Sequence, residues 1–166
     1  MYTTDLAFIS IEAEQKETEN QDFLHWLKNQ AIKDLDEKVH ALNRKISASI
    51  DCTQCGNCCQ TLVVDIAPED ITACAAHMNM ERSDFMEKYI EESQQGRLFI
   101  NSVPCHFFKD KKCTIYDLRF NDCRDFPHLH KPGFQDRLLG TLLHYGRCPI
   151  IYNTIEELKT ELNFTP

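Results

Sequence analysis

The stretch Cys52-Thr-Gln-Cys55-Gly-Asn-Cys58-Cys59 carries four cysteines in eight residues and decides how the rest of the chain is interpreted. Two thiolates separated by two residues can reach one tetrahedral metal ion, with zinc–sulfur bonds of about 2.3 Å. Gly56 suits such a loop, because a turn between ligands often needs a positive φ that glycine adopts without strain. Runs of this spacing also gather ligands for iron–sulfur clusters. The stretch therefore predicts a metal site and leaves the choice between zinc and iron open.

Cys58 and Cys59 are adjacent, which restricts how they can bind a metal. In extended backbone, neighbouring side chains point to opposite faces. We therefore expect that the two thiols serve different ions, or that one is a ligand and the other is buried nearby. Thiol–disulfide exchange by this vicinal pair is a weaker alternative, because four cysteines exceed what a redox pair needs.

Further cysteines follow along the chain, and the candidate metal ligands among them are Cys105, Cys113, Cys123 and Cys148. With the first four they make eight thiols, enough for two four-cysteine sites or for one site and some structural cysteines. A histidine could also complete a site with three thiolates, the candidates being His106, His128, His130 and His144. Cys74 lies in a helical pattern among alanines, so we expect it to be a buried small apolar residue.

The bulk composition limits the class of protein. The chain has 166 residues, with 18 Lys+Arg against 26 Asp+Glu and a net charge of −8, and so acidic a surface repels nucleic acid. It contains no run of about 18 apolar residues that would span a membrane. The N-terminus lacks the basic region of a secretion signal, so we expect a cytoplasmic protein. In a reducing compartment, nine cysteines favour metal over disulfides.

Composition divides the chain into an N-terminal helical extension (1–50), a cysteine-cluster metal-binding domain (51–150) and a C-terminal helix (151–166). The extension has no cysteine, glycine or proline. From Leu24 to Ile46 its apolar residues recur every three or four positions, which predicts a long helix over 12–48. We expect this stripe to pack on the chain's own metal domain; the alternative is a homodimer that pairs through the stripe.

Other patterns predict the remaining elements. Helices are expected over 68–79, 83–94 and 154–162, and strands over 61–66 and 97–101. The segment 99–150 has no periodic pattern, so we expect it to lack a core of its own and to be held to the 52–59 loop by metal. The predicted fold class is α+β, mainly helical: a small metal-stabilised domain with a long N-terminal helix.

Four separated blocks of sequence together resemble a known family. They read Cys52-x-x-Cys55-Gly56-x-Cys58-Cys59, Pro104-Cys105-His-Phe-Phe, Cys113-Thr-Ile115-Tyr116-Asp-Leu-Arg119 and Cys123-Arg124-Asp-Phe126-Pro127. In this order they resemble the bacterial cysteine-cluster (CxxCxxCC) family of zinc- or iron-chelating domains, over about residues 50–150. The resemblance implies that the metal residues are Cys52, Cys55, Cys58, Cys59, Cys105, Cys113, Cys123 and Cys148. Phe120 stands where the family usually has proline, which removes no ligand.

These observations support two classes of function. The first is a metal-binding protein that holds zinc or iron for storage, delivery, sensing or structure. The alternative is an enzyme of unknown substrate that uses iron or an iron–sulfur cluster; relatives of this cysteine type, such as the flagellin lysine methylases, look like iron–sulfur enzymes. Arg119, Arg124 and Asp125 flank ligand positions, where they could support ligands, clamp a substrate or form ion pairs between ligand loops. No phosphate-binding loop, separate nucleophile motif or radical-SAM spacing accompanies them.

Overall fold

The computed structural model describes residues 2–166, which fold into two compact units. The helical unit takes the described residues through Asp51 together with Pro127–Pro166, and the cysteine unit is Cys52–Phe126. Within this part of the chain, helices predominate over two small two-stranded sheets, so the predicted mainly helical α+β class is confirmed. Residues 127–150, assigned from sequence to the metal-binding domain, belong to the helical unit.

The N-terminal segment is helical, but in three pieces: α1 (Leu6–Gln15), α2 (Glu17–Lys28) and α3 (Leu35–Ser47). The expected continuous helix over 12–48 is therefore wrong in its bounds. The backbone turns at Lys16 and again over residues 29–34, where Asp34 adopts a left-handed φ of 59°. This second turn lets both α2 and α3 pack against the same later helix, α9 (Phe134–Leu142).

The helix α9 is an element that the sequence did not predict. Gly133 precedes it with a φ of 72°. Asp36 of α3 accepts hydrogen bonds from the backbone N–H groups of Gly133 at 2.7 Å and Phe134 at 2.8 Å. These N–H groups would otherwise lack acceptors at a helix start. The cap of α9 thus comes from a helix almost a hundred residues earlier.

The last helix, α10, runs from Pro149 to Glu161. It begins five residues before the expected 154–162, because Pro149 occupies its first turn, where a missing N–H costs nothing. Thr154, where the expected range begins, is fully buried inside α10.

The apolar stripe of α2 and α3 is buried inside the helical unit. Its members are all 8% exposed or less: Leu24, Leu27, Leu35, Val39, Leu42 and Ile46. Because α3 packs on α9 and α10, the stripe packs within the chain, as expected, but its partners are helices of the helical unit.

The cysteine unit is built from short elements. In chain order they are α4 (Cys52–Cys55), α5 (Asn57–Thr61), α6 (Pro68–His77), α7 (Arg82–Tyr89), β1 (Ile90–Glu92), β2 (Leu98–Ile100), β3 (Phe108–Lys109), β4 (Lys112–Cys113), a 3₁₀ turn (Tyr116–Leu118) and α8 (Asn121–Asp125). Two antiparallel pairs form, β1 with β2 and β3 with β4.

Helix α6 and strand β2 confirm the predictions for 68–79 and 97–101 within a few residues. The strand expected over 61–66 is reduced to one antiparallel bridge between Asp65 and Phe99, flanked by backbone hydrogen bonds from Ile66 to Leu98 and from Ile100 to Val64. Helix α7 ends before 94 because Ile90 enters β1.

The cysteine unit has an apolar core to which its later segments contribute. Phe107 stacks on Phe85 at 6.2 Å between ring centroids and meets the edge of Phe120 at 5.9 Å. All three rings are at most 4% exposed. Residues after 99 therefore share a core with the preceding part of the unit, which the sequence did not predict, because isolated aromatic residues in loops carry no periodic signal.

No helix among residues 2–166 combines the length and the apolar character that crossing a bilayer requires.

A buried polar network joins the helices of the helical unit. Lys159, only 5% exposed, donates hydrogen bonds to Glu19 and Asn20 at 2.7 Å and to Glu156 at 2.8 Å. Burial by itself would raise the pKa of Glu156, but the hydrogen bonds from Lys159 and Lys16 outweigh it and lower that pKa. A carboxyl whose pKa is lowered by folding stabilises the fold above its unfolded pKa, and this contribution is lost as the pH falls through the folded value.

We therefore predict that Glu156→Gln lowers the free energy of unfolding by about 1–3 kcal/mol at pH 7, as expected for charged hydrogen bonds. The loss should shrink as the pH falls below about 4.3, the usual pKa of a glutamate. Urea unfolding at several pH values, followed by the fluorescence of Trp26 in α2, measures this. Glu157→Gln is the control, because Glu157 meets the exposed Lys45 at 3.0 Å and solvent screens such surface pairs, so that they contribute little to stability. Equal losses in the two variants at every pH would contradict the prediction.

Candidate metal centre

The first four cysteines lie on two short helices separated by Gly56. Cys52 and Cys55 begin and end α4, and Cys58 and Cys59 lie in α5. Gly56 has a φ of 59°, which confirms the expected positive-φ glycine, and its N–H donates to the carbonyl of Cys52 at 3.2 Å. The glycine turns the backbone between the two helices.

The β3–β4 hairpin lies against this pair of helices. Strand β4 packs on α4. A Cβ on Gly56 would lie only 2.7 Å from Cε2 of Phe108, so the ring covers the glycine directly. Phe108 is also the cross-strand partner of Cys113. The hairpin thereby brings Cys113 to the first cysteine segment.

Cys105 is joined to the first segment through the backbone. Its N–H donates to the carbonyl of Cys59 at 2.9 Å, and its own carbonyl accepts from the N–H of Phe108 at 2.9 Å. Cys123 lies on α8, where it packs against the apolar core together with Cys105 and Cys113. The thiols of four separate segments of the cysteine unit therefore approach one another.

Five half-buried thiols form this group, which we call the thiol cluster: Cys58, Cys59, Cys105, Cys113 and Cys123. Burial, followed by the charges of Cys58 and Cys105, raises the pKa of Cys123 to about 12. Burial and neighbouring thiols likewise raise the pKa of Cys105 and of Cys113. Every pair within the cluster interacts electrostatically, so a positive charge among them would favour all five thiolates.

The adjacent cysteines do not point to opposite faces as extended backbone would require. Both lie in helix α5, and the thiol of Cys58 donates a hydrogen bond to the sulfur of Cys59. This bond raises the pKa of Cys58 and lowers that of Cys59. The prediction that the two thiols point to opposite faces assumed extended backbone. It was wrong, because the backbone is helical at both residues.

The chemistry of the donors fits zinc or iron. Thiolate is a ligand that both metals take in proteins. The backbone N–H groups of Phe107 and Ile115, each two residues beyond a cysteine, donate to the sulfurs of Cys105 and Cys113 and oppose the rise in their pKa. Within residues 2–166, no three His, Cys, Asp or Glu side chains are arranged as a group that could already hold a metal ion. The chemistry of this donor set therefore fits either metal.

The remaining predicted ligands are Cys52, Cys55 and Cys148. Cys52 and Cys55 are on α4, the first exposed and the second half-buried. Cys148 is buried in the helical unit, next to the start of α10. Cys74 is fully buried in α6, with its sulfur 3.6 Å from the carbonyl of Leu118, so its expected role as a core residue is confirmed.

Charged residues near the cluster make an ion pair and a cation–π contact, and only the ion pair was predicted from the sequence. Arg124 lies 3.6 Å from the carboxylate of Asp70, and Arg119 stacks over the ring of Tyr116 at 4.1 Å. An ion pair at Arg124 was among the expectations, but its partner was missed. Asp70 is in the first turn of α6, where an acid is explained by the helix dipole alone.

Of the four candidate histidines, His106 lies in the cysteine unit. Nε2 of His106 lies 2.7 Å from Oδ1 of Asn101, and its ring packs against Tyr89. The other candidates belong to the helical unit: His128, His130 and His144.

Comparison with known families matches residues 51–142 to the CxxCxxCC model, described as a putative zinc- or iron-chelating domain. This match covers more than half of the 166 residues and includes every member of the thiol cluster, whereas Cys148 lies outside it. No curated protein and no solved structure matches the chain.

We predict that Gly56→Ala destabilises the cysteine unit more than Gly96→Ala. Both glycines have a positive φ, which costs an alanine about 1–2 kcal/mol. Only at Gly56 would the new methyl group also meet a ring, adding about 1–3 kcal/mol of overpacking. At Gly96 the nearest atom is 3.8 Å away. Hydrogen exchange of peptides from residues 98–113 gives the free energy of local opening in each variant. Equal values in the two variants would contradict the predicted clash between the new methyl group and the ring of Phe108.

Proposed function

Because the chain belongs to the CxxCxxCC family of zinc- or iron-chelating domains, we propose that its thiol cluster binds zinc or iron. The observation that carries this proposal is the approach of five thiols from four separate segments of one unit. Cys52 and Cys55 are proposed as further ligands, since α4 packs on the strand that carries Cys113. Cys148 stays a predicted ligand, in the helical unit.

A zinc or iron ion would supply the positive charge that turns the half-buried thiols into thiolates. The protein's own groups favour this change at particular atoms. The N–H groups of Phe107 and Ile115 point at the sulfurs of Cys105 and Cys113, where they support negative charge. The contact between Gly56 and the ring of Phe108 holds the first cysteine helices against the β3–β4 hairpin. No sulfur atom takes part in this contact.

We infer that the metal is held for storage, delivery or sensing rather than as the sole support of the fold. The cysteine unit has its own apolar core, which includes packed aromatic rings, and burial of that core stabilises the fold independently of metal. The thiols are half-buried and Cys52 is exposed, so incoming groups can reach the site. Metal stabilisation of the fold stays a prediction, with a smaller expected effect.

An iron–sulfur cluster, a cytoplasmic location and a homodimer through the N-terminal helices also stay predictions. The stripe that such a dimer would use is buried within one chain, so pairing through it would require α3 to leave α9 and α10. An absorption spectrum separates the metals: broad visible absorption indicates iron–sulfur, and a colourless protein with bound zinc indicates a simple thiolate site.

We predict that the protein, purified anaerobically, contains zinc or iron in stoichiometric amount by elemental analysis. Cys59→Ser and Cys113→Ser should each weaken metal binding at least about tenfold, because replacing even a residue that hydrogen-bonds to a metal ligand lowers metal affinity by that factor. Cys74→Ala is the matched control and should leave metal content unchanged, because its sulfur lies in the apolar core. Equal metal loss in all three variants, or no metal in the unaltered protein, would contradict the proposal.

A further inference from the structure

Asp70 is a charged residue that the proposed metal site does not use. Its side chain is 5% exposed and lies in helix α6, beside the apolar residues Ile71 and Cys74. A carboxylate so deeply buried is costly unless it is paired and hydrogen-bonded. Its partners therefore show what it stabilises.

Both partners of Asp70 lie on α8, the short helix that carries Cys123. The backbone N–H of Asn121 donates to Oδ2 of Asp70 at 2.9 Å. The guanidinium of Arg124 lies 3.6 Å from Oδ1 and also donates to the side-chain oxygen of Asn121. The carboxylate thus contacts the helix at its first residue and one turn later.

Helix α8 cannot fix its own position. It has five residues, fewer than an isolated helix needs, and the residue that caps it, Phe120, has no side-chain oxygen to accept an N–H. Asp70 supplies that acceptor from another helix. Phe120 is 2% exposed and anchors the same end in the core. Together they determine the direction in which the helix leaves the core.

We propose that Asp70 is a positioning residue for the thiol cluster, fixing α8 so that Cys123 faces the other thiols. This inference rests on the proposed function and adds a residue without a thiol to the metal site. If Asp70 served only stability, its loss would lower the unfolding temperature and leave the coordination of bound metal unchanged. If it positions Cys123, its loss should change the coordination itself.

Cobalt(II) titration of the reduced full-length protein separates these two roles, because thiolate-to-cobalt absorption reports sulfur coordination directly. Asp70→Ala should weaken cobalt binding by about 10- to 100-fold, as outer partners of ligands do. It should also reduce the absorption per bound cobalt to the level of Cys123→Ser. The double variant should bind no more weakly than Cys123→Ser alone, because both changes act through one ligand.

Two further variants complete the design. Asp70→Asn keeps an oxygen that can accept from Asn121, so it should restore the absorption per bound cobalt. Glu69→Ala, on the exposed neighbour in α6, should match the unaltered protein. Should Asp70→Ala fail to fold, Arg124→Gln takes its place, since Arg124 is partly exposed and its loss removes the ion pair with Asp70 and the hydrogen bond to Asn121.

Several outcomes would overturn the inference. Unchanged absorption per cobalt in Asp70→Ala, or additive losses in the double variant, would show that Asp70 does not act through Cys123. In either case a cobalt spectrum from the unaltered protein would leave the proposed function standing. If the unaltered protein itself gave no thiolate–cobalt absorption, the proposed function would fail and this inference with it.

Discussion

The arrangement of the cysteine unit depends on the contact between Gly56 and the ring of Phe108. Only glycine allows both the left-handed turn at this position and the close approach of the ring. The contact sets the β3–β4 hairpin beside the first cysteine helices, and the bond from Cys105 to the carbonyl of Cys59 adds the preceding loop. Thiols far apart in sequence become neighbours through backbone and aromatic contacts, before any metal is considered.

What the sequence predicted well is local. The cysteine spacing and Gly56 indicated the site, and Pro68 with acidic residues after it indicated the start of α6. The failures have non-local causes. Asp34 takes a left-handed φ without being glycine, so nothing in the sequence marked the break before α3. Helix α9 was missed because its cap, Asp36, lies in another helix, and apolar Val63 is 61% exposed instead of entering a strand.

The candidate site shows the same division. Its thiols could be named from spacing and family resemblance, but their grouping could not, since it depends on contacts between segments that spacing does not encode. An acid such as Asp70 is common in the first turn of a helix because of the helix dipole. The sequence therefore gave no sign that Asp70 pairs with α8. The core of the cysteine unit was underestimated because single aromatic residues such as Phe107 carry no periodic signal.

The most direct test of a thiolate metal centre in the cysteine unit is X-ray absorption at the edge of the metal that the purified protein contains. The scattering shell around the metal identifies its neighbours without depending on stability or on any substitution. The account predicts a shell of three or four sulfur atoms at about 2.3 Å. A shell made only of nitrogen and oxygen atoms at about 2.0–2.2 Å would contradict it, because the metal would then be bound somewhere other than the thiol cluster.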